Sequence, residues 1–148
     1  MSRVAVIGGG PAGIMAAAAA AGCGHDSVLL EKNEKLGKKL FLTGKGRCNI
    51  TNSCDTDDFF ANIPRNPKFL YSALYGFSNT DIVELINANG VPTKAERGKR
   101  VFPASDKSSD VIKALAWHLN SSGAKLRLNA EVSGIRRAGS GFELTVNG

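Results

Sequence analysis

Residues 3–13 carry the types and spacing of a phosphate-binding turn. Arg3-Val4-Ala5-Val6-Ile7 reads as a buried strand, Gly8-Gly9-Gly10-Pro11-Ala12-Gly13 follows without a break, and the alanines from Ala16 to Ala21 belong to a helix. In a G-x-G-x-x-G unit each glycine has its own job. Gly8 lets the chain turn sharply out of the strand, Gly10 has no Cβ to hold a pyrophosphate away, and Gly13 lets the helix lie close on the strand. N–H groups of the first helical turn, around Pro11 and Ala12, then face the phosphates, and the helix dipole favours their negative charge. Pro11 falls where a missing N–H costs little. Ser27-Val28-Leu29-Leu30 reads as a second parallel strand ending at Glu31, roughly 20 residues past the glycines, where such a unit places the carboxylate that accepts hydrogen bonds from a ribose. The alternative is a glycine-rich loop in an ordinary α/β domain with Glu31 solvated at a strand end.

A second stretch dense in donors and acceptors follows the ribose acid. Lys32 to Gly46 is rich in Lys and Gly, and Arg47-Cys48-Asn49-Ile50-Thr51-Asn52 comes directly after it. Loops of this kind carry function when a rigid scaffold holds them, and this one leaves the end of the second strand. Cys48 is open to two readings, a redox partner or a structural thiol, the latter favoured by the lack of a resolving partner at CxxC spacing. With Cys23 and Cys54 it makes an odd set that supports neither a disulfide framework nor a zinc site. His25 and His118 are assigned no chemistry.

These residues need an α/β scaffold, and the composition allows one. A chain of 148 residues is one domain by size and buries about two-thirds of the surface its unfolded form exposes. The net charge of +6 is uneven: Lys32 to Arg47 holds six basic residues against one acid, and Lys94 to Lys107 five against two. A solvated face, or a field matched to a phosphate-rich cofactor, explains this better than nucleic acid, since no aromatic interleaving or nucleic-acid motif accompanies the charge. No nucleic-acid or membrane partner is expected: no apolar run is long enough to span, and no leader precedes the first strand, so the expected location is the cytoplasm.

Downstream, Asp55, Asp57 and Asp58 read as a solvated turn. Asn66-Pro67 reads as the N-cap and first residue of a short helix, and a second helix starts near Asn79 or Thr80 and stops at Gly90. Val91 to Phe102 reads as a hairpin turning at Arg97-Gly98-Lys99. Ser108 or Ser109 caps a helix with Val111, Ile112, Leu115 and Leu119 on one stripe. Ala124 to Leu128 should be the third parallel strand, and Glu131 to Val146 a terminal hairpin.

The combination of Gly8 to Gly13, Glu31-Lys32, Lys38-Lys39-Leu40, Thr43-Gly44-Lys45-Gly46-Arg47-Cys48-Asn49-Ile50-Thr51-Asn52 and, later, Gly98 to Lys107 resembles the BaiN-like flavoproteins, also described as aminoacetone oxidase family FAD-binding enzymes or NAD(P)/FAD-dependent oxidoreductases. The family usually has a glycine where Lys45 stands. The resemblance implies a Rossmann-like FAD/NAD(P)-binding domain of the glutathione-reductase type, a partial parallel sheet with β-hairpins. Residues 1–148 would be its N-terminal part, C-terminally incomplete, with the substrate domain and remaining strands absent. It implies FAD contacts from Gly8, Gly10, Pro11, Ala12, Gly13, Glu31, Lys32, Lys39, Leu40, Gly46, Arg47, Cys48, Asn49 and Thr51. Carried over by position, the main chain of Val132 would meet the adenine, a role compatible with an edge-strand packing residue.

The expected function is a flavin-dependent oxidoreductase, passing a hydride between NAD(P)H or a small substrate and FAD, with this portion inactive on its own. The alternatives are a non-catalytic nucleotide-binding or basic anion-binding module and a nicotinamide-binding dehydrogenase; the long polar loop after Glu31 is not needed in the last. No residue is assigned a catalytic role, and substrate and oligomeric state are not legible.

Overall fold

A computed structural model describes residues 1–148. In chain order the elements are β1 (Arg3–Ile7), α1 (Pro11–Gly22), β2 (Asp26–Leu30), α2 (Lys38–Leu42), a 3-10 turn (Thr43–Gly46), β3 (Thr51–Asn52), α3 (Thr56–Ala61) and a second 3-10 turn (Pro67–Leu70). They continue with α4 (Tyr71–Gly76), α5 (Asn79–Ala88), β4 (Thr93–Glu96), β5 (Arg100–Pro103), α6 (Ser108–Ser121), β6 (Lys125–Arg127), β7 (Val132–Ala138) and β8 (Gly141–Val146). Length predicts one domain; the chain divides into two compact units, Met1–Leu40 with Leu115–Gly148, and Phe41–Ala114. The second unit is inserted between the second and third strands of the parallel sheet.

In the first unit β1, β2 and β6 form a parallel sheet in the order β1-β2-β6, with Arg3 opposite Asp26, Ile7 opposite Leu30, and Leu30 opposite Arg127. The third parallel strand is where the alternation of Ala124 to Leu128 puts it. Helix α1 buries Ile14, Ala17 and Ala18, an i, i+3, i+4 stripe in which alanines leave room for close approach to the sheet. Burying Ile14 and Leu29 contributes roughly 1.5–3 kcal/mol each. β1 is not the fully buried strand that its apolar run suggests. Val4 and Val6 are half-buried while Arg3, Ala5 and Ile7 are exposed, because α1 covers one face only. The other face, with residues of the antiparallel β7–β8 hairpin, lines an open cavity of about 900 Å³.

The second unit is built on an antiparallel sheet in the order β3-β5-β4. Its β4–β5 hairpin turns where expected, with Gly98 and Lys99 both at positive φ (78° and 58°). Central β5 buries Val101 and Phe102. The helix starts in this unit agree with the expected ones in part. Asp55 is the N-cap of α3, accepting from the Asp58 N–H at 2.8 Å, with Asp57 and Asp58 in the first turn, so these acids belong to a helix rather than a loose turn. Asn66 holds the N-cap position with Pro67 the first residue of the 3-10 turn, as expected, but it is left-handed and its side chain makes no capping hydrogen bond. Helix α5 starts at Asn79 as expected, and Ser78 caps it through a reciprocal capping box with Asp81. Asn79, the first residue of α5, is buried and donates to the carbonyls of Asn52 and Cys54 at 2.7 and 2.8 Å. Ser108 is likewise no cap; its buried hydroxyl donates to the Phe41 carbonyl at 3.2 Å.

Candidate functional site

Of the four glycines from Gly8 to Gly13, three are required by geometry, each for a different reason. Gly8 sits at φ +103°, a conformation that L side chains rarely adopt. A Cβ on Gly13 would stand 1.9 Å from the Gly8 carbonyl oxygen, so helix and strand touch through bare backbone. Gly9 is a requirement that the fingerprint does not mention: its Cβ would meet Leu36 Cδ2 at 2.6 Å and Glu31 Cβ at 3.0 Å. Gly10 is the opposite case. It is the N-cap residue of α1 in extended conformation, makes no side-chain cap, and a Cβ there would meet nothing within 4 Å. Space for an anion lies beside it, and the first-turn N–H groups of α1 lack the side-chain acceptor that usually satisfies one of them. Pro11 and Ala12, both exposed, complete that turn.

Glu31 directly follows β2 and is buried rather than solvated. Its Oε2 accepts from the Gly9 N–H at 2.6 Å, and its Oε1 from the Asn33 N–H and side-chain amide at 2.7 and 2.5 Å. Burial pushes this carboxyl up, but the Asn33 and Gly9 N–H groups, the Asn33 amide and the charge of Lys32 outweigh it, holding the group below its ordinary value of 4.5. The acid therefore braces the glycine turn from behind. Of roughly four acceptor positions on an ionised carboxylate, three are taken. Asn33 and Leu36 are also part of this construction, and their only signal in the sequence is their nearness to Glu31.

The second stretch lies in the other unit and is held by charge. Arg47 is half-buried, with its Cζ 4.3 Å above the Phe102 ring. Its Nη2 donates to Glu96 Oε1 at 2.5 Å and its Nε to Asp106 Oδ1 at 2.8 Å. Lys94 closes the group, with Nζ 2.6 Å from Asp106 Oδ2 and 3.6 Å from Glu96 Oε1. Donating to Glu96 and Asp106 raises Arg47 above its ordinary value, and the hydrogen bonds from Lys94 and Arg47 hold Asp106 below its own. Cys48 is buried at 1% exposure, and its thiol is pushed up by burial, partly offset by a hydrogen bond with Thr43. Asn49, with its amide oriented to satisfy its neighbours, donates to the Thr51 and Val101 carbonyls at 3.0 and 3.2 Å. Gly46 (φ 86°), Lys45 (φ 59°) and Cys48 (φ 62°) all lie in the left-handed region. Lys45 thus adopts a conformation that glycine takes at no steric cost.

The remaining predicted contacts are spread out. Lys32 is exposed, 3.9 Å from Glu131. Lys39 and Leu40 lie in α2, the first exposed and the second half-buried. Thr51 pairs with Val101. Val132 opens β7 opposite Val146, where the register slips between Val132 and Gly134. No helix is long and apolar enough to cross a membrane.

Residues 2–148 match the family described as HI0933-like protein Rossmann domain. The chain is 33% identical over 150 residues to a 3-dehydro-bile acid delta(4,6)-reductase of Clostridium scindens, covering 100% of this chain and 36% of the relative. It is 30% identical over 143 residues to a ribosomal RNA dihydrouridine synthase of Escherichia coli, covering 97% and 35%. The chain thus spans about a third of the length of these relatives. Among solved structures, THI4 of Thermovibrio ammonificans superposes with a TM-score of 0.61 at 12% identity, over 96% of this chain and 45% of that one. A flavocytochrome c3 fumarate reductase superposes with a TM-score of 0.59 at 24% identity, over 91% and 28%. The fold is the Rossmann-like, FAD-binding type with a parallel sheet.

Proposed function

We propose that this chain, which belongs to the HI0933-like Rossmann-domain family, binds FAD in a flavin-dependent oxidoreductase that moves a hydride from NAD(P)H, through the flavin, onto a polarised carbon–carbon double bond. The observation that carries the FAD reading is the glycine turn: open space at Gly10, a strand and helix in contact at Gly13, and Glu31 bracing the turn from behind. In this reading the first-turn N–H groups of α1 hold the pyrophosphate and its charge is favoured by the helix dipole. The acceptor position of Glu31 left by Gly9 and Asn33 takes a ribose hydroxyl. Gly46, Arg47, Cys48, Asn49 and Thr51 keep the flavin contacts that the family resemblance implies, and Val132 an adenine contact through its main chain.

FAD, when bound, supplies the redox chemistry; protein groups orient it and set its surroundings. The names of the two relatives suggest the acceptor class. A bile acid delta(4,6)-reductase and a dihydrouridine synthase both saturate a carbon–carbon double bond, adding a hydride and a proton while the donor is oxidised. We favour a small-molecule acceptor over RNA because the cations of the basic stretches are extensively paired with acids, among them Arg47, Lys94, Lys99, Lys38 and Lys32. The test uses the protein that carries this chain, purified with its flavin. Anaerobic addition of NADPH or NADH should bleach the flavin absorbance, and an enone such as a 3-oxo-Δ4 steroid should restore it. Absence of flavin from the purified protein would defeat the reading; flavin that neither nicotinamide bleaches would remove the donor. RNA binding that weakens steeply with salt would move the acceptor to nucleic acid.

A further inference from the structure

The loop 43–49 is held in a conformation its own residues do not favour. Lys45 and Cys48 lie in the left-handed region, where a Cβ crowds the following carbonyl and non-glycine residues are disfavoured. The peptide between Arg47 and Cys48 therefore needs restraint from outside the loop. Arg47 supplies it. Its guanidinium lies over the Phe102 ring and is gripped from the edge by Glu96 on β4 and Asp106 after β5, two carboxylates steadied in turn by Lys94. Asp106 is itself left-handed, at φ 59°. The fit beneath the loop is close: a Cβ on Gly44 would stand 3.1 Å from the Asn49 nitrogen and 3.5 Å from the Phe102 ring. Isolated surface ion pairs contribute little, but a planar fork shared by two carboxylates and backed by an aromatic face is the arrangement in which arginine confers geometry.

We propose that Glu96, Asp106 and Lys94 are positioning residues: they hold Arg47, and through it the backbone of residues 43–49, in the conformation that presents the loop to the flavin. The four charges cancel, so the loop offers its main chain and Asn49 instead of a free cation. The last step rests on the flavin contacts proposed above; the restraint of the loop does not.

The experiment keeps the two apart, in the full-length protein. Labelling of Cys48 by a small thiol reagent, quantified by mass spectrometry of its peptide and run with and without flavin, reports loop opening in both forms. Asp106→Asn and Glu96→Gln should each label Cys48 several-fold faster, with thermal midpoint and Cys23 labelling nearly unchanged; Asp106→Glu should recover part of the difference. Should a variant lower the global midpoint, hydrogen exchange of the 43–49 amides relative to those of α1 replaces the labelling rate. Unchanged labelling and exchange in both variants overturn the proposal. The flavin midpoint potential is the second readout. Asp106→Asn leaves surplus positive charge and should raise it, whereas Arg47→Gln leaves surplus negative charge and should lower it, a reversal of sign that a merely structural role would not produce. Faster labelling with neither potential moved would uphold the restraint and overturn the flavin contact of the loop.

Discussion

The glycine turn at 8–13 and the loop at 43–49 are both unusual backbones, and they are kept in shape by opposite means. The turn works by absence. Gly8 takes a positive φ at no steric cost, Gly9 and Gly13 let other groups come within what a Cβ would forbid, and the only charged partner is one buried carboxylate accepting from N–H groups. The loop works by presence. Lys45 and Cys48 hold positive φ without being glycine, and four charged side chains and an aromatic ring hold them there. A turn made from missing atoms is insensitive to salt. A loop held by partly exposed charge responds to salt and can be opened by single neutral substitutions.

The largest effect should come from Gly13→Ala. One methyl group 1.9 Å from a backbone oxygen cannot be relieved by a side-chain rotation, so helix and strand must part, costing about 3 kcal/mol or more in denaturant unfolding. In the loop, Gly44→Ala meets only 3.1 and 3.5 Å contacts and should cost clearly less, although its φ of +55° adds strain. Equal costs would erase the contrast.

Glu31→Gln comes next. The amide NH2 would face either the Gly9 N–H or the Asn33 donors, and a buried donor left without an acceptor costs about 1–3 kcal/mol. The same residue sets a pH dependence. Its folded carboxyl titrates below 4.5, so the native state binds fewer protons than the unfolded state through that range. Its contribution is fully present above about 4.5 and is lost as the pH falls through the lower folded value. Acid titration of stability should show a component below pH 4.5 that Glu31→Gln removes; an identical profile in the variant would contradict it.

The difference between the two regions also explains what could be read from the sequence. Glycine spacing states its own purpose, because the consequence of lacking a Cβ is local, and the alternation of Ala124 to Leu128 fixes the third strand by the same kind of local rule. The partners of Arg47 lie 49 and 59 residues away, and no periodicity links them. Arg47 is therefore legible as a polar residue in a suggestive loop, but not as one whose donors are already committed. Glu31 is legible by spacing but its burial is not, since that depends on Leu36 and Asn33 folding back over the turn. The start of α5 is legible but the division of labour beside it is not: Ser and Asn cap equally well by type, and tertiary demand decides that Ser78 caps while Asn79 reaches across to β3.

Salt should separate the regions further. Raising ionic strength from about 0.1 to 1 M shortens the screening length from about 10 to 3 Å, so Cys48 labelling should speed up while amide exchange in β1 and α1 stays as it was. The smallest effect expected is a gain. Lys45→Gly replaces a strained left-handed residue with one that tolerates φ 59°, and the relief, less the greater freedom of glycine in the unfolded chain, should stabilise by a few tenths up to about 1 kcal/mol. A loss there would mean that the Lys45 side chain, rather than its backbone, matters.

The central claim is that Gly10 is kept bare for a phosphate and not for the fold. Its test is Gly10→Val in the flavin-binding protein, with FAD affinity and unfolding free energy measured side by side. With nothing within 4 Å of the new Cβ and an extended backbone that valine accepts, stability should fall by no more than about 1 kcal/mol, the cost of a poorer N-cap. FAD affinity should drop about 100-fold or more, because a branched side chain would occupy the phosphate position. Retention of FAD within a few-fold of the unsubstituted protein would contradict the claim.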